Sequence, residues 1–204
     1  MTDEQSETEA LAEESIERTT HLTQYFERVA ALLRDVDVAR VAALAELLRD
    51  TLDTGAQVFF IGNGGSAATA THYVNDLVMA AARGGRSIRV VSLSDNAAVI
   101  TGIGNDFGFN EVFELQLRTI GQPGDLVVAI SASGNSPNLV AALEYAQSAG
   151  MRTAAVVSFD GGILRSLAQT AVHVPTATGE YGPAEDAHMV INHAIASLLS
   201  RLLA

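Results

Sequence analysis

After Gly55 the chain repeats one pattern five times: a short apolar run, a turn marked by glycine or serine, and a stretch of helical length. The runs are QVFFIG, SIRVVSL, DLVVAIS, TAAVVSF and AVHVP. A helix between two strands carries the chain back to the edge where the first strand began, so successive strands run the same way and a parallel sheet is expected. Consecutive apolar positions in the runs require cover on both faces of that sheet. The expected fold class is therefore α/β, a three-layer α/β/α sandwich with a parallel, doubly wound sheet. In sheets of this kind ligands bind beyond the carboxyl ends of the strands, so functional residues should follow the strands.

Ahead of the first run, apolar residues recur at helical spacing from about Glu14 to Leu52 (Leu22, Phe26, Val29, Leu32, Leu33, then Val41, Leu44, Leu47, Leu48). The spacing breaks between Asp35 and Asp37 and predicts two amphipathic helices. Residues 1–54 are thus read as a helical segment added to an α/β domain over residues 55–204. From Pro183 to Leu203 one more helix is expected, with a face of small residues and leucines.

A chain of 204 residues that is 48% hydrophobic can bury one sizeable core, and nothing in its length calls for a second. No apolar run approaches the roughly 20 residues that cross a bilayer, and the polar start MTDEQSETEALAEES lacks the basic-then-apolar order of a signal peptide. A cytoplasmic protein without a membrane partner is expected. The formal charge of −12 repels nucleic-acid phosphates, and no nucleic-acid partner is expected either. Cysteine is absent, which leaves imidazole and carboxylate as the strong metal donors.

Two turns have the composition of anion sites. The first run passes into Gly62-Asn63-Gly64-Gly65-Ser66 and then a helix, where glycines let the backbone approach an anion and helix N–H groups point at it. The third passes into Ser131-Ala132-Ser133-Gly134-Asn135-Ser136-Pro137, again ahead of a helix, with three hydroxyls beside exposed amides. Either loop alone is equally well a tight turn with an N-cap; the two together favour phosphate. Gly62, Gly64 and Ala67 also fit a dinucleotide fingerprint, but Asp95 lies nearer thirty than about twenty residues onward, too far for the ribose-binding acid.

His72 and Asp76, four residues apart on the helix after the first loop, share one face and can bind metal, move protons or form a plain surface pair. Glu185, His188 and His193 stand on the last helix, where acids in the first turn also suit the helix dipole. His188 and His193 differ by about 500° of helix rotation, so one of the two is expected at the site. Glu185 and His193 are separated by about 12 Å of helix rise, so both must lean inward to meet one ion.

GNGGSA, SxSGNS, GNDFGF and the late H-x4-H, in this order and spacing, resemble the phosphoheptose isomerase branch of the SIS (sugar isomerase) family over nearly the whole chain. The resemblance implies a phosphosugar aldose–ketose isomerase that takes sedoheptulose 7-phosphate to the heptose 7-phosphate through an enediol. It implies substrate contacts from Asn63, Gly64, Gly65, Ser66, Asn105, Asp106, Ser131, Ala132, Ser133, Ser136 and Glu185. Asp76 and His193 become the acid and base, and His72, Asp76, Glu185 and His193 the ligands of one zinc ion per site. Two residues depart from the family pattern: aspartate at 76 replaces glutamate, and glutamate at 185 replaces glutamine. A homotetramer with sites drawn from neighbouring subunits is implied as well, with the N-terminal helices and last helix at the interfaces. The competing readings are a non-catalytic phosphosugar-binding regulator, an adaptor for the replication initiator, and an isomerase of another sugar phosphate.

Overall fold

The computed structural model describes the backbone of residues 2–202 and the side chains of residues 16–202. Five parallel strands, β1 (Gln57–Gly62), β2 (Arg89–Ser92), β3 (Leu126–Ser131), β4 (Arg152–Val157) and β5 (Thr170–His173), form one sheet in the order β2-β1-β3-β4-β5. Each expected apolar run overlaps one of them, β4 and β5 starting one residue earlier than their runs, and the edge strands β2 and β5 are the short ones.

Alternation along the strands divides the interior into two cores. Val58, Phe60, Val128, Ile130, Ala154 and Val156 face α2 (Val38–Asp53), α3 (Gly65–Arg83) and α8 (Tyr181–Leu202). Phe59, Ile61, Val127, Ala129, Ala155 and Val157 face the opposite layer, which contains α5 (Glu114–Ile120), α6 (Pro137–Ser148) and α7 (Gly162–Leu167). Both sheet faces are covered, which is why the strands carry apolar residues at consecutive positions.

The break expected near Asp35–Asp37 separates α1 (Thr2–Asp35) from α2, and Asp37 caps α2 by accepting from the N–H groups of Ala39 and Arg40 at 3.0 and 3.3 Å. α1 packs on α8 and is tied to it through polar contacts. The Tyr25 hydroxyl donates to Asp186 at 2.6 Å, and Arg28 donates from two nitrogens to the carboxylate of Glu180, just ahead of α8. Leu22 and Phe26, expected on the buried stripe, are exposed in the single chain, because only the Leu32 end of α1 reaches the core. The last helix begins two residues before Pro183, and Leu203 lies outside the described residues. Among the described residues no helix is long and apolar enough to cross a membrane.

The strand order reverses direction between β1 and β3. Strands to one side of that line lead the chain outward one way and those on the other side the opposite way, so a crevice opens between the loops at their carboxyl ends. The two glycine- and serine-rich loops are the loops that follow β1 and β3.

Candidate functional site

The loops meet in that crevice and are fastened together. Asn63 and Asn138 exchange two amide hydrogen bonds of 2.9 Å, one in each direction, and Asn138 is buried. Asn138 was not among the expected site residues. Its signal is positional, a polar residue in the first turn of α6 on the stripe shared with Ala142 and Ala146. Ser94 braces the first loop from the side, donating its hydroxyl to the Gly62 carbonyl at 2.9 Å.

A cavity of about 160 Å³ lies between the loops. Asn63, Ser66, Ser131, Ala132, Ser133, Ser136 and Glu185 line it, together with Ile130, Leu139 and Tyr181. Ser136 caps α6 without spending its side chain on the helix, and Pro137 opens the helix at a position where no N–H is needed. The hydroxyl oxygens of Ser131 and Ser133 accept from the N–H groups of Gly134 and Asn135 at 3.1 and 3.3 Å, which curls the loop into a concave turn. Two helix N-termini and four serine side chains at one small space have the composition of an oxyanion site.

Glu185 reaches this cavity from α8 and presses its carboxylate against Gly65, where any Cβ would collide with it. The metal-type cluster described next groups His72, Asp76 and His193 without Glu185, which was expected as a fourth ligand. About two turns of α8 separate it from His193. Asn105 and Asp106, also expected at the substrate, end α4 (Ala97–Asp106) as exposed residues whose side chains pair with each other at 2.8 Å. Within one subunit they do not line the cavity.

Farther along α3, His72 and Asp76 meet His193 of α8. The Nε2 atoms of the two histidines are 3.0 Å apart, and Oδ2 of Asp76 lies 3.4 Å from His72 Nε2 and 3.8 Å from His193 Nε2. Ligand atoms held about 2.0–2.1 Å from a tetrahedral ion sit about 3.3 Å from each other. The three measured separations bracket that value, so two imidazoles and a carboxylate converge as a three-ligand metal site would. Helix packing chooses between the two late histidines: His193 joins the cluster, whereas His188 is fully buried and hydrogen-bonds the hydroxyl of Ser158 at 2.9 Å.

His188 gives a stability prediction. Burial pushes its pKa down to about 4, partly offset by the Val157 backbone. Because the folded value lies below the unfolded one, the unfolded chain binds the extra proton between about pH 6.5 and 4, and stability falls as pH drops through that window. At pH 4.5 the loss is about 2–3 kcal/mol relative to pH 7.5. Urea melts of His188→Gln are expected to show a shallower decline over this range; an equally steep one overturns the assignment.

The sequence model of the SIS domain matches residues 24–158. Phosphoheptose isomerase of Chlorobaculum parvum is 36% identical over 190 residues, covering 92% of this chain and 88% of that protein. The Geobacter sulfurreducens phosphoheptose isomerase is 36% identical over 173 residues, covering 85% of this chain and 90% of the relative. Among solved structures, phosphoheptose isomerase from Neisseria gonorrhoeae superposes with a TM-score of 0.80 at 28% identity, over 92% of this chain and 98% of that one. The sugar isomerase domain of a transcription factor from Sphaerobacter thermophilus shares the fold at a TM-score of 0.65 and 18% identity, over 91% of this chain and 90% of that one.

Proposed function

Since the chain belongs to the SIS-domain family, within its phosphoheptose isomerase branch, we propose that it interconverts sedoheptulose 7-phosphate and D-glycero-D-manno-heptose 7-phosphate. The observation that carries this reading is the meeting of His72, Asp76 and His193 on α3 and α8, the two helices whose first turns also line the cavity between the two loops. Ser66 lines the cavity and His72 follows it by about 9 Å of helix rise, a span that suits a sugar held by its phosphate at one end and reacting at the other.

In this reading Ser131, Ser133 and Ser136, with the N-termini of α3 and α6, hold the phosphate. Asn63, Gly64, Gly65, Ser66, Ala132 and Glu185 shape the space for the chain of hydroxyls. A base removes a proton from C1 while an acid protonates the C2 carbonyl oxygen, giving the enediol; return of a proton to C2 and loss of the O1 proton give the aldose. Asp76 and His193 fill these two roles, facing the same point from neighbouring helices. His72, Asp76 and His193 would hold a zinc ion, which when bound supplies a Lewis acid for a carbonyl or hydroxyl oxygen.

We also read the protein as a cytoplasmic homotetramer, with residues 1–54 serving both the domain core and the interface and 55–204 forming the SIS domain. Ile16, Leu22 and Phe26 on α1 and Val190, Leu198 and Leu202 on α8 are exposed apolar residues that such an interface would cover. Asn105 and Asp106, exposed in one subunit, are then available to a site completed by a neighbour.

Purified protein given sedoheptulose 7-phosphate in the presence of zinc is expected to form the aldose phosphate, and chelation is expected to slow it. Tight phosphosugar binding without turnover in any metal state would replace this reading with that of a regulator.

A further inference from the structure

Asn192 is a buried amide in an apolar helix interface. It lies on α8 beside Ile191 and Ile195, with no exposed surface, and its Oδ1 has no hydrogen-bond partner among the described residues. An apolar residue of similar size would pack there without burying an unpaired polar atom. What the amide gains is one contact: Nδ2 donates to Oδ2 of Asp76 at 3.0 Å. Among the described residues the only other acceptor within reach of Nδ2 is the Met189 sulfur at 3.9 Å, a weak one. An ionised carboxylate accepts and never donates, so the nitrogen side of the amide must face Asp76.

Oδ2 is the oxygen of Asp76 that faces both histidines. Its partner Oδ1 accepts from the side chain of Asn75 at 3.1 Å, so the carboxylate is held at both oxygens. A carboxylate oxygen has two lone pairs, and with one given to Asn192 the other points to where the imidazole nitrogens converge. Asn75 is exposed and on the same helix, whereas Asn192 is buried and reaches across from α8, so the rigid constraint comes from Asn192.

We propose that Asn192 is the positioning residue of the cluster, fixing the Asp76 carboxylate so that it, His72 and His193 bind one divalent ion, and thereby setting the affinity for that ion. This rests on the metal-binding reading of the triad. Partners that orient a metal ligand typically contribute 10–100-fold to affinity.

The test is the zinc affinity of the full-length protein by competition with a chelating dye, with the visible spectrum of the cobalt-substituted protein as a second readout. Asn192→Leu is expected to bind zinc about 10–100-fold more weakly and to alter the cobalt spectrum, while the metal-free protein melts no lower than wild type. In an Asp76→Ala background the same substitution is expected to cause no further loss, since its effect acts through that carboxylate. Should the leucine variant fail to fold, Asn192→Ala removes the donor without adding bulk. Wild type that binds neither zinc nor cobalt overturns the metal reading and this proposal together. Tight binding by wild type and Asn192→Leu alike overturns the proposal alone, as does an equal loss in the Asp76→Ala background.

Discussion

His193→Ala is expected to lower kcat for sedoheptulose 7-phosphate isomerisation by about 10²–10⁴-fold, the range of a lost general acid or base. His193 presents Nε2 to His72 at 3.0 Å and to Asp76 at 3.8 Å, so its removal takes away one of the two groups proposed to move protons and one of three converging side chains at once. The side chain is 55% exposed in the single chain, so the circular dichroism spectrum and the melting temperature of the variant should stay near those of wild type. The decisive comparison is with Asp76→Ala. Groups that act as a unit are not additive, and the double variant is expected to be little worse than either single one. A His193→Ala enzyme with wild-type kcat would remove this cluster from the chemistry.

Gly134→Ala is expected to destabilise the protein by about 3 kcal/mol or more, through two causes at one position. Gly134 has φ of +65°, where a Cβ is strained. The added carbon would also collide with the carbonyl oxygen of Gly161, and that contact is backbone, which cannot rotate away. The loop is docked at this point: Leu164 N–H donates to the Gly134 carbonyl at 2.9 Å, and Ile163 N–H to the Asn135 side chain at 3.0 Å. For a chain of this size the loss corresponds to about 10 °C in melting temperature at fixed protein concentration. Displacing the loop should also raise KM for the sugar phosphate more than it lowers kcat, because Ser131, Ser133 and Ser136 are the residues proposed to hold the phosphate end. Unchanged stability would mean that the loop does not dock on the Gly161–Gly162 turn.

The elements were readable from the sequence because each is encoded within about ten to twenty residues. The runs that became β1, β3 and β4 are apolar at consecutive positions because helices cover both faces. The break between α1 and α2 follows from an aspartate cap. Both anion loops announce themselves by glycine and serine placed between a strand and a helix, and His72 and Asp76 share a face because four residues make about one helical turn.

Contacts between such elements were another matter. Strand order places the loops after β1 and β3 side by side, and no local pattern states it; the Asn63–Asn138 pair exists only because of that order. The rotation of α8 against α3 sends His193 to Asp76, buries His188, assigns Glu185 to the loop cavity rather than to the histidines, and turns Asn192 toward the carboxylate. That rotation is set by how the whole apolar face of α8 packs, with Ala187, Ile191, Ile195 and Leu199 in the core. Sequence determined which residues could do chemistry and on which elements they ride. The packing of helices far apart in the chain decided which of them meet, because the energy that fixes it belongs to the shared core and not to any one segment.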